Sequence, residues 1–325
     1  MAACACIAPY CAKGADAMPM PITFEGADGL ALENGVLRAV VLPAHGGKVA
    51  SLRYLPQNFE LLFQNPKGAF RPARCGDDFS AYEACGFDEA FPTVDACTVQ
   101  VGGRTVAYPD HGELWSAPFT ARTEGETLCL SFESPLLGYR YEKRFSLAGD
   151  VLVCDYAIEN PTSADLPALW VCHCLARAEP DMRILLPPEV QTVQNVFSSD
   201  HLGEEKRLLP YPLAQGPKGP INLSRMPADG QLKFYAQGPV GAGWCGYEYP
   251  SSGMRVLLRY DAAALPYLGF WATAGGYRGD VNCALEPANG YYDNIPTARA
   301  FGACPVLPAG GRWAFRLEIS LSSLA

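Results

Sequence analysis

Apolar and polar side chains alternate along several parts of this sequence. From Trp313 to Leu321 every second residue is large and apolar, and the residues between them are mostly polar. Segments 152–158 and 254–260 repeat the same pattern. A period of two residues with one apolar face is typical of a half-buried antiparallel strand. The pattern therefore predicts many strands that each turn one face toward a core.

Turns separate these predicted strands at short intervals. Glycine and proline are abundant throughout, and segment 99–108 predicts a hairpin that reverses at Gly102 and Gly103. The sequence contains no long amphipathic helical pattern and no repeat of fixed length. Many short antiparallel strands build a sandwich or a barrel. We therefore predict an all-β fold, a large antiparallel β-sandwich.

The predicted sandwich forms a single domain over residues 22–325. Residues 1–21 are predicted to be a poorly ordered N-terminal tail, because the small residues and prolines there follow no period. Within the domain, segments 68–92 and 191–227 are rich in polar residues and show little strand character. Long loops in a compact domain are often functional or mobile.

Composition and charge exclude several classes of protein. The 325 residues are 49% hydrophobic and carry a net charge of −9, so the chain can form a core but lacks the basic stripe that a nucleic-acid partner requires. No apolar run approaches the length of a membrane span, and no Lys- or Arg-led apolar stretch opens the sequence, so we expect no secretory signal. We therefore predict a cytoplasmic protein without a nucleic-acid or membrane partner. Its oligomeric state stays open.

Thirteen cysteines are scattered along the chain, most of them inside apolar segments. A buried reduced cysteine behaves as a small apolar residue, so these cysteines are predicted to be free thiols in a reducing compartment. A disulfide framework is the alternative. The spacing of Cys4, Cys6 and Cys11 matches no metal site, and no metal is predicted.

The chain has only four histidines, and two of them lie in distinctive settings. His111 follows Pro109 and Asp110 and precedes Gly112, which indicates a loop or the entry to a strand. His173 lies in a strand-like segment, where alternation places it on one face with two aliphatic residues. An ionisable ring among apolar neighbours needs a bonding partner or a chemical role. Taken alone, His173 would be interpreted as a core histidine.

Glu286 precedes Pro287 near the end of the chain, in a segment that begins at Asn282. The residue before a proline is held in an extended conformation, which fixes the direction of its side chain. Taken alone, Glu286 would be interpreted as a surface carboxylate. The order of His111, His173 and Glu286 along the chain changes this interpretation.

Three motifs carry these residues: a His-Gly pair, a Trp-x-x-His strand and an Asn-x-Ala-Leu-Glu-Pro segment. Together they resemble the galactose mutarotase-like superfamily, in particular the aldose 1-epimerases. The opening strands with their Gly46-Gly47 turn and the closing segment that leads into Trp313 are also similar to that family. The resemblance spans about residues 29–325. It implies a supersandwich fold and an enzyme that interconverts the α and β anomers of an aldose or a related sugar.

Anomer interconversion opens a pyranose ring by removing a proton from the anomeric hydroxyl group and adding one to the ring oxygen. The reaction needs one base and one acid on opposite sides of the hemiacetal. The resemblance places Glu286 as the base, His173 as the acid, and His111 as a second active-site histidine that hydrogen-bonds near the ring oxygen. It implies a small-molecule sugar substrate and no cofactor, because no carbon is oxidised and no electron sink is needed.

The residues that hold the sugar hydroxyl groups are less clearly marked. The family uses an arginine and an acidic residue there, and the corresponding region of this sequence contains both types in a different setting. Trp271 could stack on the apolar face of a sugar or belong to the core. Segment 86–93 could accept hydrogen bonds from the sugar hydroxyl groups through its acidic residues, or it could equally be a polar loop. The candidates for binding the sugar are Arg71, Arg74, Asp88, Glu89, Trp271 and Asn282.

Three other functions are also compatible with the sequence. A carbohydrate-binding protein on the same sandwich would bind sugars without catalysing anomer exchange, since a fold does not fix a function. A glycoside hydrolase or lyase would use Asp88, Glu89 or Glu286 as a carboxylate pair and would cleave oligosaccharides. A structural protein with histidines buried by chance is the third alternative.

Overall fold

Two large antiparallel sheets make up most of the computed structural model, which describes residues 18–324. The strands, in chain order, are β1 (Met20–Phe24), β2 (Ala27–Glu33), β3 (Leu37–Leu42), β4 (Lys48–Tyr54), β5 (Phe59–Glu60), β6 (Phe87–Ala90), β7 (Cys97–Val101), β8 (Arg104–Tyr108), β9 (Thr120–Glu124), β10 (Thr127–Glu133), β11 (Arg140–Ala148), β12 (Val151–Glu159), β13 (Leu166–Pro167), β14 (Val171–Arg177), β15 (Arg183–Leu185), β16 (Thr192–Asn195), β17 (Leu208–Pro210), β18 (Leu213–Gly216), β19 (Gly219–Asn222), β20 (Gly230–Ala236), β21 (Trp244–Tyr249), β22 (Met254–Tyr260), β23 (Tyr267–Ala274), β24 (Val281–Ala288), β25 (Val306–Leu307) and β26 (Arg312–Ser323). The single α-helix of these residues is α1 (Ile295–Ala300), and 3₁₀ turns span Leu55–Gln57, Phe79–Ala81 and Leu114–Ser116. Between Met18 and Leu324, no helix combines the length and the apolar composition of a membrane span.

The strands form a sandwich of a twelve-stranded and an eight-stranded sheet. The larger sheet has the spatial order β1-β2-β3-β4-β6-β14-β24-β23-β20-β16-β17, and β5 pairs with β4. The smaller sheet has the order β15-β21-β22-β26-β12-β11-β10-β9. The pairings between these strands are antiparallel, and three two-stranded ribbons, β7-β8, β13-β25 and β18-β19, complete the fold. The predicted all-β antiparallel sandwich is confirmed.

The strictly alternating segments of the sequence lie together in the smaller sheet. Segments 152–158, 254–260 and 313–321 belong to β12, β22 and β26, which are neighbouring strands. Their large apolar residues form one core with residues of the larger sheet. Segment 99–108 forms β7 and β8, which pair as the predicted hairpin. The period of two thus identifies these strands and their buried faces.

The larger sheet separates core residues from a second set on its other face. In β14, Cys172 and Cys174 enter the core between the sheets. Val171 and Leu175 belong to separate clusters, and His173 lines a cavity together with Leu175. Successive side chains leave a strand on opposite faces, so these three lie on the face turned away from the smaller sheet.

A buried ion pair between β6 and β11 joins the two sheets. Asp88 and Glu89 are consecutive, so their side chains leave opposite faces of the strand. Lys143 of β11 lies 2.6 Å from Oε2 of Glu89, and Tyr156 donates a hydrogen bond of 2.9 Å to Oε1. The side chains of Lys143 and Glu89 are at most 1% exposed. The prediction that Glu89 binds a sugar is wrong, because its carboxylate is enclosed and bonded between the sheets.

Lys143→Met is expected to destabilise the fold by about 3–5 kcal/mol, because it would leave the Glu89 carboxylate buried without a cationic partner. The free energy of unfolding can be measured by urea denaturation at neutral pH. Lys67→Met, at an exposed lysine, is the matched control and should change stability by less than about 0.5 kcal/mol. A loss below about 1 kcal/mol for Lys143→Met would contradict a structural role of the pair.

The N-terminal boundary differs from the prediction. β1 begins at Met20, inside the segment 1–21 predicted as a tail, because residues 20–24 pair with β2. The rest of that segment, residues 1–17 with the three closely spaced cysteines, lies outside the described residues. The predicted tail therefore does not extend to residue 21.

The two segments predicted as loops contain short strands. β6 lies within 68–92, and β16 to β19 lie within 191–227. In β6, all four residues are buried and two consecutive ones are charged, so no alternation of polarity marks the strand. Strands β16 to β19 have only three or four residues each, which is too short for a clear period.

Candidate active site

A cavity of about 630 Å³ opens on the face of the larger sheet that is turned away from the smaller sheet. Its floor is formed by the neighbouring strands β14, β24, β23 and β20, which contribute His173, Glu286, Trp271 and Lys233. These residues alternate with core residues along their strands, so the pleat of the sheet directs them away from the core. The sheet therefore gathers residues from distant parts of the sequence on one surface.

His173 and Glu286 lie side by side on this floor. The pairing of β14 with β24 continues on both sides of these residues, and its register brings His173 level with Glu286. His173 is 7% exposed and Glu286 is 2% exposed, and both line the cavity. The structure thus brings together the two residues that the sequence marked as acid and base.

A chain of buried charged groups extends from His173 into the protein. The Nδ1 atom of His173 lies 2.8 Å from Oδ1 of Asp88, the residue opposite it on β6. The other carboxylate oxygen of Asp88 lies 3.1 Å from Nζ of Lys48, and Lys48 donates a hydrogen bond of 2.9 Å to the carbonyl group of Glu83. The side chains of Asp88 and Lys48 are both buried. This network fixes the direction of the His173 ring.

The charge on Asp88 decides which nitrogen of His173 carries a proton. Burial by itself would raise the pKa of Asp88, but Lys48 and His173 lie so close that its pKa is held well below the ordinary value. The carboxylate therefore accepts a hydrogen bond from Nδ1–H of His173, and Nε2 is left for the cavity. The prediction that Asp88 binds the sugar is wrong, because Asp88 lies behind His173 and does not line the cavity.

His111 reaches the cavity from a tight turn. Its backbone φ is 56° and that of Gly112 is 72°. A Cβ atom at position 112 would lie 1.9 Å from the carbonyl oxygen of Phe91, so only glycine fits there. The His111 ring stacks on Phe79 at a centroid distance of 3.8 Å and meets the His173 ring edge-on at 5.2 Å. The predicted histidine pair therefore meets in one place.

Lys233 and Asp293 also line the cavity, although neither belongs to a motif singled out in the sequence. The Nζ atom of Lys233 lies 2.9 Å from Oε2 of Glu286 and 2.9 Å from Oδ1 of Asp293. Tyr235 donates a hydrogen bond of 2.9 Å to the same Asp293 oxygen. One signal could have marked Lys233, since it alternates with core residues along β20 and therefore lies on the face of the cavity.

Burial and ion pairing act in opposite directions on these groups. Burial is the larger effect on Glu286 and raises its pKa above the ordinary value, while Lys233 opposes the increase. Burial alone would lower the pKa of Lys233, but Asp293 and Glu286 raise it, so the ammonium group keeps its charge. Gly269 lies level with Glu286 on β23, and a Cβ atom there would approach Oε2 of Glu286 to 3.1 Å. Glycine at this position leaves room for the carboxylate.

The floor of the cavity can exchange protons with two atoms of one small molecule. A carboxylate with a raised pKa is a stronger proton acceptor than an ordinary one. The Nε2 atom of His173, fixed by Asp88 from behind, can donate a proton when the ring is charged. Because Glu286 and His173 lie on adjacent strands, both can reach the same ligand.

Several solved structures share this arrangement of sheets at low sequence identity. A candidate aldose 1-epimerase from Escherichia coli K12 is 19% identical, with a TM-score of 0.66, and the alignment covers 90% of this chain and 98% of that one. A galactose mutarotase-like protein from Lactobacillus casei is 15% identical with a TM-score of 0.68, covering 90% and 100%. One from Clostridium acetobutylicum is 15% identical with a TM-score of 0.67, covering 95% and 99%. No protein-family model and no curated protein matches the sequence.

The chain has the galactose mutarotase-like fold. The predicted supersandwich is therefore confirmed. At 15–19% identity the similarity establishes the fold alone, and any activity depends on the residues that line the cavity.

Of the candidates for binding the sugar, Trp271 and Asn282 line the cavity, whereas Arg71 and Arg74 do not. Asn282 is 1% exposed, and its side-chain oxygen accepts no hydrogen bond from the described part of the chain. Arg71 lies 2.8 Å from a carboxylate oxygen of Glu83 in a small neighbouring cleft, and Arg74 is exposed. In contrast to the prediction that Arg71 and Arg74 bind the sugar, the structure places neither side chain on the cavity.

The cysteines that the structure describes lie outside the cavity lining. The ten cysteines among residues 18–324 are free thiols, and none of them lines the cavity. Burial raises the pKa of Cys85 to about 11 and that of Cys283 to about 12, which makes them poor nucleophiles at neutral pH. Over the same residues, no group of three or more His, Cys, Asp or Glu side chains is arranged to hold a metal ion.

Proposed function

We propose that this protein interconverts the α and β anomers of an aldose, in the manner of an aldose 1-epimerase. The observation that carries the proposal is the position of Glu286 and His173, side by side on the floor of one cavity. The cavity volume of about 630 Å³ lies in the usual range for small-molecule sites. The three motifs in the sequence and the structural similarity to a candidate aldose 1-epimerase support the same reaction.

In this mechanism Glu286 is the base and His173 is the acid. The Glu286 carboxylate takes the proton of the anomeric hydroxyl group while Nε2 of His173 gives a proton to the ring oxygen. The electron pair of the O–H bond forms the second bond of the aldehyde. The electron pair that joined the anomeric carbon to the ring oxygen stays on that oxygen. Rotation about the neighbouring carbon–carbon bond and the reverse proton transfers then close the ring as the other anomer.

The remaining residues hold the reacting groups and the sugar. When His173 has given up its proton, its Nδ1–H group stays bonded to Asp88, so the ring keeps its direction while the sugar is open. His111, next to His173, hydrogen-bonds near the ring oxygen. Trp271 offers an aromatic face to the apolar side of the sugar, and the free oxygen of Asn282 accepts a hydrogen bond from a hydroxyl group. The reaction transfers protons only and uses no cofactor.

The charge of the cavity wall favours an uncharged sugar. Carboxylates outnumber cations there among residues 18–324, and the one lysine that these residues place on the wall, Lys233, is already shared by two of the carboxylates. A phosphate or carboxylate group on the sugar would meet like charges, which discriminates against such substrates. The carboxylates that line the cavity are Asp95, Asp110, Glu205, Asp280, Glu286 and Asp293.

The protein is expected to accelerate anomer exchange of at least one neutral aldose and to act less well on its 6-phosphate and its uronic acid. NMR saturation transfer between the two anomeric protons measures the exchange rate across a panel of such sugars. Binding without exchange would favour a carbohydrate-binding protein, and cleavage of oligosaccharides would favour a glycoside hydrolase or lyase. Faster exchange of the phosphate than of its neutral parent would contradict the argument from charge.

A further inference from the structure

We propose that Lys233 is a positioning residue for the base. Lys233 is shared between Glu286 and Asp293, and it holds the Glu286 carboxylate ionised and directed into the cavity. When Glu286 takes a proton, Lys233 keeps Asp293 as its counterion. This inference rests on the proposed function of the site.

The geometry places Lys233 between two fixed carboxylates. Its Nζ atom lies 2.9 Å from an oxygen of each, and the side chains of Lys233, Glu286 and Asp293 are at most 7% exposed. The hydroxyl group of Tyr235, two residues further along β20, holds Asp293 from the same strand. Water therefore contributes little to stabilising these charges, and each ion depends on its neighbours.

The second carboxylate becomes important when the proton moves. Two carboxylates and one ammonium group give the resting cluster a net charge of −1, and protonation of Glu286 changes it to 0 with Lys233 and Asp293 still paired. If Glu286 were the only partner, the same transfer would leave a buried cation without a counterion, which is strongly unfavourable. With Asp293 present, Glu286 can accept and return a proton in each turnover without creating an unpaired ion.

Other titratable groups also face Glu286. His173 lies level with it on β14, His111 approaches from its loop, and Asp293 faces it through Lys233. Among residues 18–324, Lys233 is the one lysine or arginine side chain within 4 Å of the Glu286 carboxylate. Without Lys233, burial and the repulsion from Asp293 would raise the pKa of Glu286 further, and His111 would be left to oppose them. Removing the charge of Asp293 would instead lower the pKa of Glu286.

Lys233→Met and Asp293→Asn should therefore shift the acid limb of kcat/KM in opposite directions. The rate falls at low pH as the base becomes protonated. Loss of a cation at this distance should move that limb upward by about 1–3 pH units. Loss of the neighbouring negative charge should move it downward. Lys233→Arg should return the limb toward the wild-type position, and Lys218→Met, at an exposed lysine, should leave it unchanged.

An independent readout separates this inference from the proposed function. The pKa of Glu286 can be followed by ¹³C NMR of its carboxyl carbon, assigned with Glu286→Gln, whether or not the protein exchanges anomers. Suppose that the wild type exchanges anomers, and that the variants shift neither the acid limb of kcat/KM nor the titration of the Glu286 carboxyl carbon. This result would overturn the role of Lys233 and leave the proposed function in place. If the wild type exchanges no aldose, the proposed function fails, and the titrations still test the ion pair. If Lys233→Met does not fold, Asp293→Asn decides: a lower pKa of Glu286 supports the inference, and an unchanged one overturns it.

Discussion

Glu286→Gln is expected to slow anomer exchange by about 10²–10⁴-fold, the usual contribution of a positioned acid or base. Glutamine keeps the shape of the side chain but cannot take the proton of the anomeric hydroxyl group. Lys233 retains Asp293 as its counterion at 2.9 Å, so folding and sugar binding should be largely preserved. The rate can be measured by NMR exchange on the best aldose and the Kd by calorimetry.

Glu126→Gln is the matched control, because that residue is exposed in the turn between β9 and β10. It should exchange anomers at the wild-type rate. Near-wild-type exchange in Glu286→Gln would show that the base is another group and would contradict the mechanism. Equal loss of binding and rate would instead indicate that Glu286 mainly holds the sugar.

His173→Asn is expected to slow exchange by a similar factor, about 10²–10⁴-fold, because asparagine has no proton to give to the ring oxygen. The wild-type kcat/KM should be bell-shaped in pH, falling at low pH as Glu286 is protonated and at high pH as the general acid loses its proton. Burial raises the pKa of Glu286, so the acid limb should lie above the ordinary range of a glutamate. His173→Asn should remove the alkaline limb and leave the acid limb in place.

Two further variants test this assignment. The double variant of Glu286→Gln and His173→Asn should lose less than the product of the single losses, because both residues act on one step. His201→Asn is the control, since the His201 ring bonds the carbonyl group of Asp229 outside the cavity and should leave the pH profile unchanged. An alkaline limb that persists in His173→Asn would assign the acid to another group, with His111 as the first candidate.

The sandwich could be predicted from the sequence because the smaller sheet has one face in the core and one in solvent. Strands β22 and β26 alternate between buried apolar residues and more exposed positions that include several arginines, which is the pattern that polarity reveals. At the site, the residues on both faces of the larger sheet are buried. In β24, seven of eight residues are buried, so its pattern does not show which of them face the core. Polarity alone cannot distinguish a strand that lines a cavity from a loop.

His111, His173 and Glu286 could be singled out because each belongs to a short local motif. The roles of Asp88 and Lys233 could not, because they depend on contacts between residues far apart in the chain. Asp88 meets a histidine 85 residues later. Glu89, its neighbour, has the same charge and a similar setting in the sequence, yet it meets Lys143 on the other face. Only the pleat of β6 distinguishes the two carboxylates.

Alternation along the strands of the larger sheet also separates residues with two different structural requirements. In β14, residues such as Cys172 must fill the space between the sheets, whereas His173 projects into the open cavity. A substitution at an outward position changes the chemistry offered to a ligand and leaves the interior packing in place. Such a sheet can gain a new specificity or lose its activity while the architecture persists, which fits the shared fold of neighbours that are only 15–19% identical.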